Sequence, residues 1–284
     1  MADYWAITKP EVNFLIAITT AAGFYLASAQ GSSHFPWLML LHTLLGTGLV
    51  ASGAAALNQW MERNFDAKMR RTARRAVAAG RIEPVRALTF GTLVSMAGSA
   101  YLAFAVSTLT AFLAVFTLLS YLLLYTPLKR VTPLCTLIGA VPGAVPPLIG
   151  WAAARGHLDP EAWVIFALVF FWQFPHFMSI AWMYREDYDR SGYLVLPHGN
   201  TRVRFMTVQT VLPLLALFPM SLLPALTGEP SLLLCLGAML LGFGFLYSGV
   251  RFAVERSGSS ARQLLMTSII YLPALLALMA LAKS

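Results

Sequence analysis

Three oxygen-bearing side chains follow one another at intervals of four residues, at the end of a long apolar segment. Asn58, Glu62 and Asp66 occupy positions i, i+4 and i+8. On a helix of about 3.6 residues per turn, this spacing places all three on one face. Mg²⁺ typically takes one or two carboxylates and completes its shell with water and substrate phosphate oxygens. The spacing therefore indicates either a Mg²⁺ site or a solvated helix end whose acids pair with arginines.

A basic segment comes directly after these carboxylates, which favours the metal site. Lys68, Arg70, Arg71, Arg74 and Arg75 lie between positions 68 and 75. Guanidinium groups bind phosphate oxygens bidentately. Carboxylates followed by such a segment predict a metal–diphosphate site, in which Arg70, Arg71 and Arg74 bind the diphosphate.

A second acidic cluster, at residues 184–190, follows a later apolar segment. We expect Asp187 to complete the metal site from across a helix bundle. The nearby Arg185 is expected to bind the substrate. His176 lies eleven residues before Asp187, three helical turns, so these two and the nearby Gln173 are expected to share a face if Pro175 only kinks the helix. A histidine within a membrane helix is also commonly a hydrogen bonder between helices, and that alternative stays open.

A third polar segment contains Tyr125, Lys129 and Arg130. Its two cations and phenol are candidates for substrate binding. Equally, Lys129 and Arg130 could simply anchor the cytoplasmic end of a membrane helix.

The composition defines the class of protein in which these side chains must be placed. Of 284 residues, 58% are hydrophobic and only 11% are charged, against about 25% charged residues in a typical soluble domain. A soluble enzyme is therefore excluded, and the charge-free runs are long enough for helices that cross the bilayer. We predict an all-α integral membrane protein with one domain, 1–284, and nine transmembrane helices. The expected spans are roughly 12–29, 36–61, 87–106, 109–128, 133–154, 162–184, 205–226, 230–250 and 263–282, with turns inside the two longest runs at 30–34 and near Ser107.

The basic residues predict the orientation of these spans. With the N-terminus in the cytoplasm, eighteen of the twenty Lys and Arg residues fall in cytoplasmic segments, as membrane proteins prefer. We therefore expect a bacterial plasma membrane protein with its C-terminus outside and its site on the cytoplasmic side. The net charge of +8 reflects this topology, and no nucleic-acid partner is expected because the loops are too short to build a basic groove.

The two cysteines, Cys135 and Cys235, both fall within predicted spans. Their spacing fits neither a disulfide framework nor a zinc site. We interpret both as small packing residues.

Taken together, these motifs resemble those of the intramembrane prenyltransferases of the UbiA superfamily, and among them the heme-modifying branch. In that branch Asn-Gln with Glu and Asp replaces the more usual aspartate-rich first motif, as in Asn58-Gln59, Glu62 and Asp66 here. Four residues depart from the usual pattern, which leaves the reaction class intact and puts pocket details in doubt: Arg75 in place of Pro, Cys135 in place of Asn, Met178 in place of Trp and Leu194 in place of Pro. The resemblance spans nearly the whole chain, and its further matches are 69–72 with Arg74, 80–82, 125–130, 142–151, 172–177, and 187–188 with Gly192 and 196–197.

The resemblance implies a reaction as well as a fold. Farnesyl diphosphate and protoheme IX would give heme O and diphosphate, with Mg²⁺ as cofactor and heme as a substrate. It implies Asn58, Glu62, Asp66 and Asp187 as metal ligands, and a heme A synthase or a terminal oxidase assembly as downstream partner. His176 or, second, His198 could ligate the heme iron, since imidazole is a usual heme ligand; alternatively, His176 positions the diphosphate or a water.

Two other functions have to be weighed. An aromatic prenyltransferase of quinone biosynthesis would share the fold and the metal chemistry, but the Asn58-Gln59 variant and residues 172–177 argue against it. A transporter would need polar groups near the middle of the membrane, whereas nearly all the acids here lie at one face. A purely structural membrane subunit would not need two carboxylate clusters beside arginines.

Overall fold

The computed structural model describes residues 1–28, 34–227 and 231–283, and for 224–227 and 283 the backbone alone. All regular elements in these residues are helical. In chain order they are α1 (Ala2–Ile7), α2 (Pro10–Ala27), α3 (Trp37–Asp66), α4 (Pro84–Ala105), α5 (Thr108–Leu119), a π-helical segment (Ser120–Tyr125), α6 (Thr126–Leu128), α7 (Cys135–Ala144), α8 (Pro146–Arg155), α9 (Pro160–Met183), α10 (Arg185–Ser191), α11 (Thr201–Thr227), α12 (Leu232–Glu255) and α13 (Gly258–Lys283).

Within the described residues, nine helical segments are long and apolar enough to cross a membrane, so the predicted number is confirmed. Two of these segments are compound. One runs from α5 through the π-helical segment to α6, and the other joins α7 to α8 across Val145. The pyrrolidine ring of Pro146 removes a backbone donor, and this explains why α8 starts afresh there.

The helix α3 is longer than its predicted span of 36–61. Its 30 residues correspond to about 45 Å of helix, against about 30 Å for the hydrocarbon core of a bilayer. Its last turns, which carry Glu62 and Asp66, continue as helix beyond the apolar stretch. We call the end of the bundle at which α3 terminates the polar end.

One predicted turn is described and confirmed. The chain leaves the helical conformation at Val106 and Ser107, and the Ser107 hydroxyl accepts a hydrogen bond of 3.1 Å from the Thr110 backbone N–H, which caps α5. The turn expected at 30–34 lies almost wholly outside the described residues.

Close packing between helices is made possible by glycines. A Cβ at Gly53 would lie 2.6 Å from the Gly91 carbonyl oxygen, so α3 and α4 touch through their backbones. A Cβ at Gly150 of α8 would collide with the Thr20 carbonyl of α2. In a bilayer, where apolar burial between helices gains little, such close contacts are a main source of association.

Candidate active site

The three predicted metal ligands of α3 are all buried. Asn58, Glu62 and Asp66 are 1%, 5% and 1% exposed. All three belong to one uninterrupted helix, and their four-residue spacing keeps them on the same side of it. Buried carboxylates need partners, and each of these three side chains is bound by a lysine or an arginine.

Lys129 binds Glu62. Its ammonium lies 2.8 Å from Glu62 Oε1 and 4.5 Å from the centre of the Tyr125 ring. Burial alone would lower the pKa of Lys129, but the electrostatic interactions with Tyr125, Glu62 and Tyr121 outweigh it and hold the pKa well above its ordinary value. The ammonium is thus charged and nearly desolvated, with a side chain 14% exposed.

Lys9 binds Asn58, and sequence reasoning missed it as a site residue. Its ammonium donates a hydrogen bond of 3.0 Å to Asn58 Oδ1, while its backbone has a φ of 51° directly before Pro10. Burial and the nearby charge of Arg75 lower the pKa of Lys9 to about 7. The left-handed backbone conformation is unfavourable for a lysine. Such strained residues are common at functional sites. The sequence feature that could have identified Lys9 is its position as a charged residue immediately before the proline that begins a membrane helix.

Arg75 binds Asp66, whereas the sequence placed it only in the basic segment and among the departures from the family pattern. Its Nη1 lies 3.0 Å from Oδ1 and 2.9 Å from Oδ2 of the carboxylate. The backbone carbonyl of Asp66 also accepts a hydrogen bond of 3.0 Å from the Thr72 hydroxyl. The loop after α3 therefore folds back over the end of its own helix.

The same loop reaches the second acidic cluster. The backbone N–H of Arg71 donates to Asp187 Oδ2 over 3.2 Å, and the Arg71 guanidinium lies 4.8 Å from the centre of the Tyr184 ring. Asp187 also accepts from Arg190 at 3.3 Å. The structure thus joins Asp66 and Asp187 through one basic loop at the polar end.

The remaining predicted cations have different positions. Arg70 and Arg74 are exposed at the polar end. Arg130 lies 4.5 Å from the centre of the Phe65 ring, close to the end of α3. Arg185 folds back on its own helix end, donating to the Trp182 carbonyl at 2.9 Å, so its described contacts do not connect it to Asp187.

The expectation that His176 and Asp187 share a helical face is wrong, whereas Gln173 and His176 lie three residues apart on the same helix, as expected. Helix α9 continues through Pro175, as assumed, but it ends at Met183, and α10 starts anew after Tyr184. Gln173 donates to the Ala140 carbonyl at 3.0 Å. His176 is bonded to Ser268 instead, with 2.8 Å between Nδ1 and Oγ. The helix break turns Asp187 away from the direction that a continuous helix would have given it.

Two smaller expectations concern other residues. Cys135 and Cys235 are both free thiols, as predicted. His198 is exposed and lies 3.9 Å from Asp189.

The donors at the polar end fit Mg²⁺ with a diphosphate. They are hard oxygens, namely the Asn58 amide and the carboxylates of Glu62, Asp66 and Asp187. In the described residues no three His, Cys, Asp or Glu side chains converge closely enough to hold a metal ion by themselves, so an ion here would need substrate oxygens to complete its shell. Beside them, a cavity of about 310 Å³ is bordered by Lys9, Arg74, Arg75 and Arg81 and by one acid, Glu11, so its surface has an excess of basic side chains that suits an anion.

With this geometry, the family assignment follows. Residues 16–280 match the model of the UbiA prenyltransferase family, and the chain belongs to that family. A protein of Solibacter usitatus (strain Ellin6076) named protoheme IX farnesyltransferase is 50% identical over 100% of this chain and 99% of its own length.

Solved structures show the same fold at low sequence identity. That of a digeranylgeranylglyceryl phosphate synthase superposes with a TM-score of 0.78 at 16% identity, over 99% of this chain and 97% of the other. A UbiA homolog from Archaeoglobus fulgidus bound to GPP and Mg²⁺ gives 0.64 at 12% identity, over 98% and 99% of the two chains. The chain therefore has the all-α fold of the intramembrane prenyltransferases.

Proposed function

We propose that the protein transfers a farnesyl group from farnesyl diphosphate to a vinyl group of protoheme IX, giving heme O and diphosphate. The observation that carries this is the full-length similarity to a protoheme IX farnesyltransferase, together with a polar end whose buried carboxylates and cations suit a metal-bound diphosphate. Two other relatives of the same name are 40% and 41% identical over nearly the whole chain.

The first step is the departure of the diphosphate. The bond between farnesyl C1 and the diphosphate oxygen breaks, and its electron pair leaves with the diphosphate. Asn58, Glu62 and Asp66 of the first motif and Asp187 of the second would hold Mg²⁺ against the diphosphate, where the ion would neutralise the charge that develops on the leaving group.

The cations of the polar end act on the same charge. Lys129 is buried and already charged, so it stabilises the diphosphate without rearranging solvent. Arg70 and Arg74 are exposed and free to close over the diphosphate from the loop, whereas Arg71 is held against Asp187 and Tyr184. Arg130 lies close to the end of α3 and adds to the positive potential there.

The second step forms the carbon–carbon bond. The terminal vinyl carbon of the heme attacks farnesyl C1, which leaves a positive charge on the carbon next to the macrocycle. A water adds to that carbon and releases one proton, so the product gains farnesyl and hydroxyl. The apolar surroundings must keep other water away until then, because water would otherwise capture the farnesyl cation first.

We also propose that the polar end faces the cytoplasm of a bacterial plasma membrane. The support is the distribution of basic residues, eighteen of twenty on that side. Both substrates are apolar with anionic groups, so they can enter sideways from the bilayer with their charges at this end. The receiving partner would be a heme A synthase or a terminal oxidase assembly.

The test is a reaction in detergent with the purified protein, reduced protoheme IX, farnesyl diphosphate and Mg²⁺, followed by mass spectrometry of the heme. We expect the heme to gain the mass of farnesyl plus hydroxyl. Glu62→Gln and a metal-free sample should both lose this product, while Glu83→Gln, at an exposed ion pair with Arg86, should keep it. An unchanged heme alongside prenylation of a hydroxybenzoate or naphthoate would refute the heme assignment and leave the fold and metal chemistry standing.

A further inference from the structure

Tyr193 is placed at the polar end by the turn that follows α10. Gly192 ends that helix with a φ of 80°, in the left-handed region, and the Tyr193 N–H then donates to the Tyr188 carbonyl over 3.0 Å. The next backbone N–H, that of Leu194, donates to the Lys129 carbonyl over 2.7 Å. The backbone at Tyr193 is therefore fixed on both sides, on one of them to the segment that carries Lys129.

The ring of Tyr193 packs between two aromatic side chains. Its centroid lies 5.5 Å from that of Phe65, with 34° between the planes, and 6.2 Å from that of Tyr188, edge-on at 71°. Phe65 belongs to the last turn of α3, between Glu62 and Asp66. Tyr193 is only 2% exposed, and side chains packed at this density have few alternative rotamers. The position of its hydroxyl is therefore set by packing.

The Tyr193 hydroxyl has no partner in the part of the chain that the structure describes. Its oxygen is sealed from solvent and forms no hydrogen bond to the described residues. Burial, and after it the charge of Glu62, raises the pKa of this phenol, with smaller effects of Lys129 and Asp66. Because electrostatic effects weaken with distance, the hydroxyl lies among these three residues. It is protonated, so a buried donor stands without an acceptor, which is rare and requires an explanation.

Most oxygens of the neighbouring carboxylates already have donors. Arg75 occupies both oxygens of Asp66, and Lys129 occupies Oε1 of Glu62. Glu62 Oε2 accepts nothing from Tyr193, whose hydroxyl is unpartnered. The missing acceptor is therefore an oxygen from outside the chain. A neutral phenol donor beside the Lys129 ammonium suits an oxygen of an anion that both groups bind.

We propose that the Tyr193 hydroxyl donates a hydrogen bond to an oxygen of the bound diphosphate, and that it stays unpartnered until this ligand arrives. The inference deepens the proposed function and rests on it. The donor is already in place before the ligand binds, because the ring is packed and the backbone is fixed. It therefore stabilises the charge on the leaving diphosphate without rearranging solvent.

The experiment is calorimetric titration of inorganic diphosphate with Mg²⁺ into the purified full chain in detergent. We expect saturable binding to the wild type. Tyr193→Phe keeps the ring contacts and removes only the hydroxyl, so it should bind about 10- to 100-fold more weakly, the range of a hydrogen bond to a charged group. Without ligand, its melting temperature should equal or exceed that of the wild type, because the lost hydroxyl had no partner there.

The matched control is Tyr271→Phe on α13. Tyr271 is 1% exposed, and its hydroxyl is likewise sealed and unpartnered within the described residues. Its ring packs on Phe245 with 4.9 Å between centroids, and no charged group of the polar end acts on it. Tyr271→Phe should therefore also keep or raise the melting temperature, but it should bind diphosphate as the wild type does.

Steady-state kinetics distinguish diphosphate from the other anionic group of the substrates, the heme carboxylates. Tyr193→Phe should lower kcat/KM for farnesyl diphosphate and leave the KM for heme unchanged. A raised KM for heme with unchanged diphosphate affinity would assign the hydroxyl to a heme carboxylate and overturn the proposal.

The remaining outcomes separate this inference from the proposed function. A wild-type chain that binds no diphosphate with Mg²⁺ would contradict the metal–diphosphate site itself. Normal binding to the wild type with equal affinity in Tyr193→Phe would refute the inference alone. A ligand-free Tyr193→Phe that melts below the wild type, or does not fold, would show that the hydroxyl already has a partner within the protein, which also refutes it.

Discussion

Lys129 and Glu62 form an ion pair of 2.8 Å that joins two elements 67 positions apart in the chain. The Lys129 side chain is 14% exposed and that of Glu62 6%. The pair therefore links the first carboxylate motif to the segment after α6. It also places a fixed positive charge beside a proposed metal ligand.

We expect Lys129→Met to destabilise the protein by about 3–5 kcal/mol, because it leaves the Glu62 carboxylate buried without a partner. The double variant Glu62→Gln/Lys129→Met should regain much of this loss, while both lack activity. Melting temperatures in detergent, combined into a double-mutant cycle, measure the coupling. A double variant as unstable as the sum of the single variants would contradict the direct pairing.

Arg75 would compete with the proposed metal for Asp66, since its guanidinium is within 3.0 Å of both carboxylate oxygens. Arg75→Gln should therefore lower the Mg²⁺ concentration for half-maximal activity, by about 10-fold if one charge-assisted hydrogen bond of roughly 1.5 kcal/mol is removed. The measurement is a Mg²⁺ titration of farnesyl transfer. Arg86→Gln, at an exposed ion pair with Glu83, should leave this concentration unchanged, and a shift of equal size there would argue for a general charge effect.

Gly143 provides the space in which the Gln173 amide sits, and a Cβ at this position would collide with that amide. Gly143→Ala should displace Gln173 and lower kcat/KM for heme, with little effect on KM for farnesyl diphosphate. The comparison variant is Gly244→Ala on α12, where an added Cβ would meet nothing within 4 Å. It should keep full activity and gain about 0.4–1 kcal/mol of stability, because alanine restricts the unfolded chain.

Asp159 ties the loop between α8 and α9 to Trp151, whose indole N–H donates to Oδ2 over 3.0 Å. That hydrogen bond, with a smaller contribution from His157, lowers the pKa of Asp159. A lowered pKa means that the carboxylate adds stability above the ordinary Asp pKa of about 3.9, and that this contribution is lost as the pH falls through the lower folded value.

The check is the melting temperature of the wild type minus that of Asp159→Asn, measured as a function of pH. It should be positive near neutral pH and shrink below about pH 4. The control is Glu161→Gln, because Glu161 accepts no hydrogen bond from Trp151 in the described residues. It should show no such trend. A difference that is constant down to pH 2 would contradict a stabilising carboxylate.

Features that depend on local sequence were predictable. Nine apolar segments of sufficient length predicted nine spans, because a bilayer accepts a helix on length and hydropathy alone. The four-residue spacing of Asn58, Glu62 and Asp66 predicted a common face, because the helical repeat is a local property. The end of α3 at Asp66 rather than near 61 was not predicted, since charged residues ended the apolar run before the helix itself ended.

The partners of the site residues were not predictable in the same way. Asn58 is bound by Lys9, Asp187 by the backbone of Arg71, and His176 by Ser268. These pairs are separated by 49, 116 and 92 positions. No local periodicity relates residues that far apart, so the sequence did not indicate Lys9 as a site residue, and it placed His176 and Asp187 on one helical face although they lie on separate helices.

By itself the sequence determined the class of the molecule: a membrane bundle of nine spans, with two acidic motifs, a basic loop and the motifs of a prenyltransferase family. These follow from hydrophobicity, charge and helical spacing, which act over a few residues. Only the tertiary structure decided that each carboxylate or amide of the first motif is held by a separate cation, and that a hydroxyl on α13 is bonded to His176. Burying a charge or a ring nitrogen in an apolar bundle requires a partner, and which partner is available depends on which helices pack together.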